Sequence, residues 1–174
     1  MKKIIEMELS KASIDAAISE IEKYADDLER KLKIFVGMLT QKGVKVASMA
    51  IVASRGDSKN AFVDYTVDST SGEIVSATIF LQGSDALFVE FGAGIAYNTG
   101  NQHPYASEFG YGIGTYPSKH PPNKAMNPGY WYYKDSNGEK QRSIGTEAAM
   151  PIYKASETVR NNVIKEAVKV FKKG

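Results

Sequence analysis

The sequence predicts an α+β fold in which a long N-terminal helix and a C-terminal helix pack on a small antiparallel sheet. Three patterns predict it. Apolar residues recur at spacings of four and three over the first forty residues, two runs within residues 61–82 alternate apolar with polar residues, and a proline at 151 opens a second helical pattern. A long aromatic and Gly-rich loop, residues 93–145, separates the strands from the last helix.

The composition indicates one globular domain, residues 1–174, with 43% apolar and 24% charged residues. The absence of cysteine excludes disulfides and thiolate metal sites. Glu6 and Glu8 interrupt the short apolar run that follows Met1-Lys2-Lys3. We therefore expect neither a signal peptide nor a membrane span. We expect the protein to be made in a reducing cytoplasm.

The net charge of +2 is too small to predict a general attraction to nucleic acid. Its distribution is uneven, because residues 56–92 carry a net charge of −5, residues 93–145 of +2 and residues 146–174 of +3. Regions of opposite sign suit head-to-tail contact between copies of one chain, and they also suit a chain that has no partner.

The first helix is predicted to begin after Ser10, a good N-cap residue, and to run to about Lys42. At 1.5 Å per residue it would be roughly 50 Å long, so we expect it to overhang the domain or to bend at Gly37 and Gly43 before a second piece ends near Ser54. Its apolar seam packs either on the chain's own sheet or against a neighbouring subunit. The seam consists of Ile14, Ile18, Ile21, Ala25, Leu28, Leu32, Phe35 and Leu39.

Alternating patterns predict strands at residues 61–68 and 73–82, joined by a short turn as a hairpin. Residues 2–9 alternate loosely, which predicts a short edge strand. Residues 86–92 are predicted to form a buried strand that ends in a sharp turn at Gly92. The alternative is two helical turns capped by Asp85.

The loop of residues 93–145 contains most of the tyrosines, the single Trp and both His. An irregular segment this long is normally functional or disordered, and its aromatic content argues against disorder. Because Tyr and Trp are enriched in protein interfaces, we expect parts of it to order against a neighbouring subunit. The candidate anchors are Tyr105, Phe109, Tyr111, Tyr116, Tyr130 and Trp131. A strand is predicted at residues 130–134, and the last helix from Pro151 to about Lys172.

Catalytic and cofactor-binding motifs are missing from the sequence, which lacks a phosphate-binding loop, a dinucleotide fingerprint and a nucleophile elbow. His103 and His120 could join Glu90 or Glu108 at a metal, but their spacing matches no compact metal motif. We therefore predict no catalytic residue, cofactor or metal. The alternative is a carbohydrate-binding or glycoside-acting protein that uses the aromatic loop with Glu90 and Glu108 as a carboxylate pair.

Two short segments resemble a known family. Phe88-Val89-Glu90-Phe91-Gly92-Ala93-Gly94 resembles the Val-Glu-Phe-Gly-Thr-Gly motif of the tail-completion, or neck, proteins of tailed bacteriophages, with Ala in place of Thr. Gly145 to Ala155 resembles the second signature of that family, with Ile-Tyr after the proline where Phe and Leu or Met are usual. The matching positions are Val89, Glu90, Phe91, Gly92, Gly94, Gly145, Pro151 and Ala155.

The resemblance implies a structural virion protein at the phage head–tail junction, without enzymatic activity. It implies a homo-oligomeric ring, expected to be hexameric, that contacts other neck, connector or tail-tube proteins and passively contacts DNA in the channel. It also implies assembly in the host cytoplasm and no membrane partner.

Overall fold

The computed structural model describes residues 4–57, 59–70, 74–93, 103–106, 108, 131–135 and 137–172. Within these ranges the chain forms three helices and two antiparallel hairpins, which confirms the predicted α+β class. The helices are α1 (Lys11–Ala53), α2 (Ala86–Phe91) and α3 (Pro151–Phe171). The strands are β1 (Phe62–Thr70), β2 (Ile74–Gln82), β3 (Trp131–Lys134) and β4 (Lys140–Ser143).

Helix α1 begins where the sequence predicts, because the Ser10 side chain accepts a hydrogen bond from the Ser13 amide at 3.3 Å. It then runs unbroken for 43 residues, about 65 Å. The predicted division into two pieces is wrong. Gly43 serves packing instead, since a Cβ there would lie 2.5 Å from Ile79 Cδ1 and 3.2 Å from Val159 Cγ2. Its missing side chain lets α1 approach β2 and α3 closely.

Helices α1 and α3 pack antiparallel. The ring of Phe35 meets that of Phe171 edge to face, with centroids 5.9 Å apart, whereas Gly43 lies against Val159. The residue numbers in contact therefore increase along α1 while they decrease along α3, as in any antiparallel pair. The first part of α1, residues 11–34, lies beyond the C-terminal end of α3. The predicted overhang is thus present.

A buried ion cluster joins the two helices. Glu166 of α3 has no solvent exposure, and its carboxylate accepts hydrogen bonds from Lys169 Nζ at 2.9 and 3.0 Å. Lys42 Nζ of α1 lies 3.3 Å from Glu166 Oε1. The Lys169 hydrogen bond, followed by that of Lys42, holds the pKa of Glu166 below its ordinary value of 4.5. The buried charge is therefore paired from both helices.

The apolar seam of α1 has two different environments. Leu39 is buried and Phe35 packs on α3, as expected for packing within the chain. Ile14, Ile18 and Leu28 are 37%, 50% and 39% exposed. The first half of the seam is thus uncovered, so packing on the chain's own sheet does not account for it.

Strands β1 and β2 form the predicted hairpin, with Phe62 opposite Gln82. Both strands lie beside α1. Val63 is half-buried, whereas Tyr65 and Val67 are 46% and 48% exposed. On β1, cover by the rest of the chain therefore decreases toward the turn, whereas Val75, Ala77 and Ile79 of β2 are all half-buried.

The second hairpin was predicted only in part. Strand β3 confirms the predicted strand at residues 130–134 to within one residue, but its partner β4 was not predicted. The carboxylate of Asp135 accepts hydrogen bonds from the amides of Asn137 and Glu139, both at 2.9 Å. This local turn reverses the chain between the two strands.

Two strand predictions are wrong. Of the predicted edge strand at residues 2–9, residues 4–8 have no regular structure and residue 9 is a bend. Residues 2 and 3 lie outside the described residues. Residues 86–91 form helix α2, which is the alternative to the predicted strand. Asp85 precedes this helix, but its carboxylate accepts hydrogen bonds from the amides of Lys59 and Asn60, each at 2.9 Å, and does not cap the helix. It ties the start of α2 to the start of β1.

By length and composition alone, α1 could cross a membrane. Its most apolar stretch is only partly buried by the rest of the described chain. Core helices and signal sequences meet the same criterion. Since α1 also packs on α3 and on both strands of the first hairpin, it serves as a core helix over its second half. The absence of a membrane partner stays a prediction.

Candidate functional site

The site is the junction between α2 and the start of α3. Helix α2 ends at Phe91, and Gly92 follows with φ of 79°, a conformation that favours glycine. A Cβ on Gly92 would also lie 3.0 Å from the Ala148 nitrogen and 3.2 Å from its Cβ. Gly92 therefore allows the chain to turn sharply and to press against the segment that leads into α3.

Glu90 caps α3 from outside that helix. Its Oε2 accepts a hydrogen bond from the Ile152 amide at 2.9 Å, and its Oε1 accepts one from the Tyr153 amide at 3.0 Å. The residue at the N-cap position, Met150, has left-handed backbone geometry and supplies no side-chain cap. A carboxylate is favoured here because it satisfies free amides and lies at the positive end of the helix dipole. This explains how an acid that is only 7% exposed is accommodated.

His103 completes the cluster around Glu90. Its Nε2 lies 3.0 Å from Glu90 Oε1, and its Nδ1 accepts a hydrogen bond from the Tyr105 amide at 3.1 Å. The neutral ring with its proton on Nε2 satisfies both contacts, so Nε2 donates to the carboxylate. The imidazole is also packed between rings, with centroids 4.5 Å from Phe91 and 5.5 Å from Tyr153.

Backbone hydrogen bonds join the two segments that resemble the phage family. Ala93 and Thr146 exchange two bonds of 2.8 Å as an antiparallel bridge, and the Ala149 amide donates to the Val89 carbonyl at 2.9 Å. Residues more than fifty positions apart thus form one structural unit. The structure brings together seven of the eight motif positions as buried residues, while Gly94 lies outside the described residues. The seven are Val89, Glu90, Phe91, Gly92, Gly145, Pro151 and Ala155.

A third segment that sequence reasoning missed, Arg55-Gly56-Asp57, clamps the same junction. Arg55 forms a two-pronged ion pair with Glu147, at 2.7 and 3.0 Å, which lowers the pKa of that carboxyl. The Asp57 carboxylate accepts a hydrogen bond from the Ile144 amide at 2.7 Å. The sequence shows only an Arg-Gly-Asp loop here, which has no periodic pattern that could indicate the contact.

An apolar groove of about 360 Å³ opens beside Glu90 and His103. Both of these side chains have their polar atoms engaged, as described above. The groove therefore presents mainly apolar and aromatic surface, and neither Glu90 nor His103 is free to act there as a base. Its principal lining residues are Leu81, Leu87, Phe91, Tyr105, Ile152 and Tyr153.

The structure describes only some of the residues that were predicted to form an interface or to bind a metal. Tyr105 stands at the groove, 38% exposed, and the backbone of Trp131 begins β3. Phe109, Tyr111, Tyr116, Tyr130 and the possible metal ligand His120 lie outside the described residues. Glu108 is exposed. Within the described ranges, no group of three or more His, Asp or Glu could hold a metal ion. The absence of metal, cofactor and catalysis stays a prediction.

No model of a protein family, no curated protein and no solved structure matches this chain.

Proposed function

We propose that this chain is a structural virion protein at the head–tail junction of a tailed bacteriophage, where it forms a ring that joins the tail to the capsid connector. The observation that carries the proposal is the junction between the two motif segments. They were singled out separately in the sequence, and they meet through the Ala93–Thr146 bridge and the Glu90 cap.

The junction gives the two motifs a common physical purpose. It fixes the start of α3 against α2 and against the Arg55 clamp, so three distant parts of the chain become one rigid unit. A subunit of a ring must hold its neighbours at a constant angle, which requires such a rigid centre. The exposed half of α1 and the groove then remain for contacts with other proteins.

The expected partners follow from the proposal. They are further copies of this chain in a ring, expected to be hexameric, and neck, connector or tail-tube proteins above and below it, with DNA passing through the channel. The carbohydrate alternative gains no support from the site, because both oxygens of Glu90 are engaged with α3 and His103. A catalytic carboxylate must be able to reach a substrate.

The proposal is tested by disrupting the gene in the phage or prophage that carries it and imaging the lysate by electron microscopy. We expect DNA-filled heads and separate tails that fail to join, and joined particles again when the wild-type gene is supplied on a plasmid. Normal numbers of joined, infectious particles without the gene would contradict the proposal. An empty plasmid is the control.

A further inference from the structure

An exposed acidic face runs along the overhanging part of α1. Its centre is an apolar stripe that lies beyond the end of α3, with side chains between 37% and 56% exposed. Exposed carboxylates border one side of the stripe along its length, and the exposed Lys11 and Lys33 flank them at the two ends of the same edge. The acidic face of α1 consists of Ile14, Ile18, Ile21 and Leu28, bordered by Asp15, Glu22 and Asp26.

An exposed basic face of similar construction lies on α3. Ile164 and Val168 are 79% and 42% exposed, one helical turn apart. Arg160 and Lys172 continue the same row at its two ends, and Lys165 borders it; all three are exposed, and Arg160 pairs with Glu157 at 3.2 Å. The basic face of α3 consists of these five residues. The surface of α3 that packs in the core carries the buried Ala155 and Glu166 and points elsewhere.

We infer that the acidic face of α1 in one copy packs on the basic face of α3 in the next copy. The two faces have opposite charge and similar overall length, although the apolar centre of the α3 face, Ile164 and Val168, is shorter than the apolar stripe of α1. Arg160 to Lys172 spans about 18 Å and Ile14 to Leu28 about 21 Å along their helix axes. Opposite charges bordering an apolar contact favour this pairing over the pairing of like faces. Two acidic faces packed antiparallel would bring the carboxylate borders together, which is unfavourable.

The two faces cannot meet within a single copy. Residues 11–34 of α1 lie beyond the C-terminal end of α3, and the side of α3 that packs on α1 in the same copy is centred on Val159 and Glu166. A contact between different surfaces of identical copies is head-to-tail, so it generates a closed ring when the rotation closes. The inference rests on the ring-forming part of the proposed function and names the contact that builds the ring.

Charge reversal tests the contact. The α1 variant carries Asp15→Lys and Glu22→Lys, and the α3 variant carries Lys165→Glu and Lys172→Glu. Each alone places like charges in the contact, so we expect native mass spectrometry to find mainly monomers, with assembly weakened at least about tenfold. Mixed in equal amounts, the two variants present complementary faces at every contact. The mixture should therefore recover the wild-type assembly, made of alternating variants.

The matched control is Asp64→Lys with Asp68→Lys on β1, which makes the same change in charge as the α1 variant at exposed positions and should assemble as the wild type does. Circular dichroism of each variant checks that it is folded. Wild-type assembly by either single variant, or no recovery in the mixture of folded variants, would overturn the contact and leave the proposed function standing. A monomeric wild type would overturn both the contact and the proposed ring.

Discussion

Replacing Glu90 by Gln tests the junction most sharply, because it replaces the charged carboxylate by a neutral amide of nearly the same shape. The carboxylate accepts hydrogen bonds from Ile152, Tyr153 and His103. A Gln side chain has one accepting oxygen and one donating nitrogen. In either orientation of the amide, its NH₂ group faces at least one backbone N–H of α3, and that donor loses its partner.

The cost follows from three effects at a site that is only 7% exposed. A hydrogen bond to a charged group contributes about 1.5–3 kcal/mol, and a buried donor left without a partner costs about 1–3 kcal/mol. The loss of a negative charge at a helix N-terminus costs about 0.3–1 kcal/mol. These effects overlap, so we expect Glu90→Gln to lower the free energy of unfolding by about 2–4 kcal/mol.

Urea unfolding followed by circular dichroism measures this difference. The control is Glu157→Gln, which removes an exposed carboxylate of α3 that pairs with Arg160 at 3.2 Å. An exposed pair of this kind contributes at most about 0.5 kcal/mol. If Glu90→Gln changed the stability no more than Glu157→Gln, the Glu90 cap would not hold α3, and the reasoning about the junction would be refuted.

Two further changes test other parts of the fold. Gly56→Ala should destabilise by more than about 2 kcal/mol in the same assay, because Gly56 has φ of 121° and a Cβ there would lie 2.2 Å from the Gly145 carbonyl oxygen. The matched Gly37→Ala, where a Cβ meets nothing within 4 Å, should stabilise by about 0.5–1 kcal/mol; equal effects of the two would contradict the Arg55 clamp. The pKa of Glu166 is lowered in the folded state from its ordinary 4.5, so its contribution to stability is complete above that pH and is lost as the pH falls through the folded value. Thermal unfolding between about pH 3 and 7 should therefore show a shallower acid loss in Glu166→Gln, together with lower stability at neutral pH; an unchanged pH profile would contradict the Lys169 pairing.

Sequence patterns predicted the parts of the fold that depend on local signals. Ser10 caps α1, alternation predicts β1 and β2, and Pro151 opens α3. Helix α2 could not be decided in this way, because Leu87, Val89 and Phe91 alternate as in a strand while the segment is only six residues long. In the helical form, α2 makes backbone hydrogen bonds with the segment before α3. These partners are distant in the sequence, so the pattern of residues 86–91 alone does not indicate them.

The site was predicted as a set of residues but not as an arrangement. The resemblance to the phage family singled out Glu90 and Pro151, yet nothing local indicates that the Glu90 carboxylate binds the amides after that proline. The Arg55 clamp was missed for the same reason, since its partner Glu147 is 92 residues away. A pairing over such a separation leaves no periodic pattern in the sequence.

Native mass spectrometry of the purified wild-type protein, with negative-stain images of the same sample, tests the central claim that this chain is the subunit of a ring. We expect one closed species with a fixed number of copies, expected to be six, which appears as a ring with a central opening. A monomer at concentrations of tens of micromolar, or open-ended chains of variable length, would contradict the account.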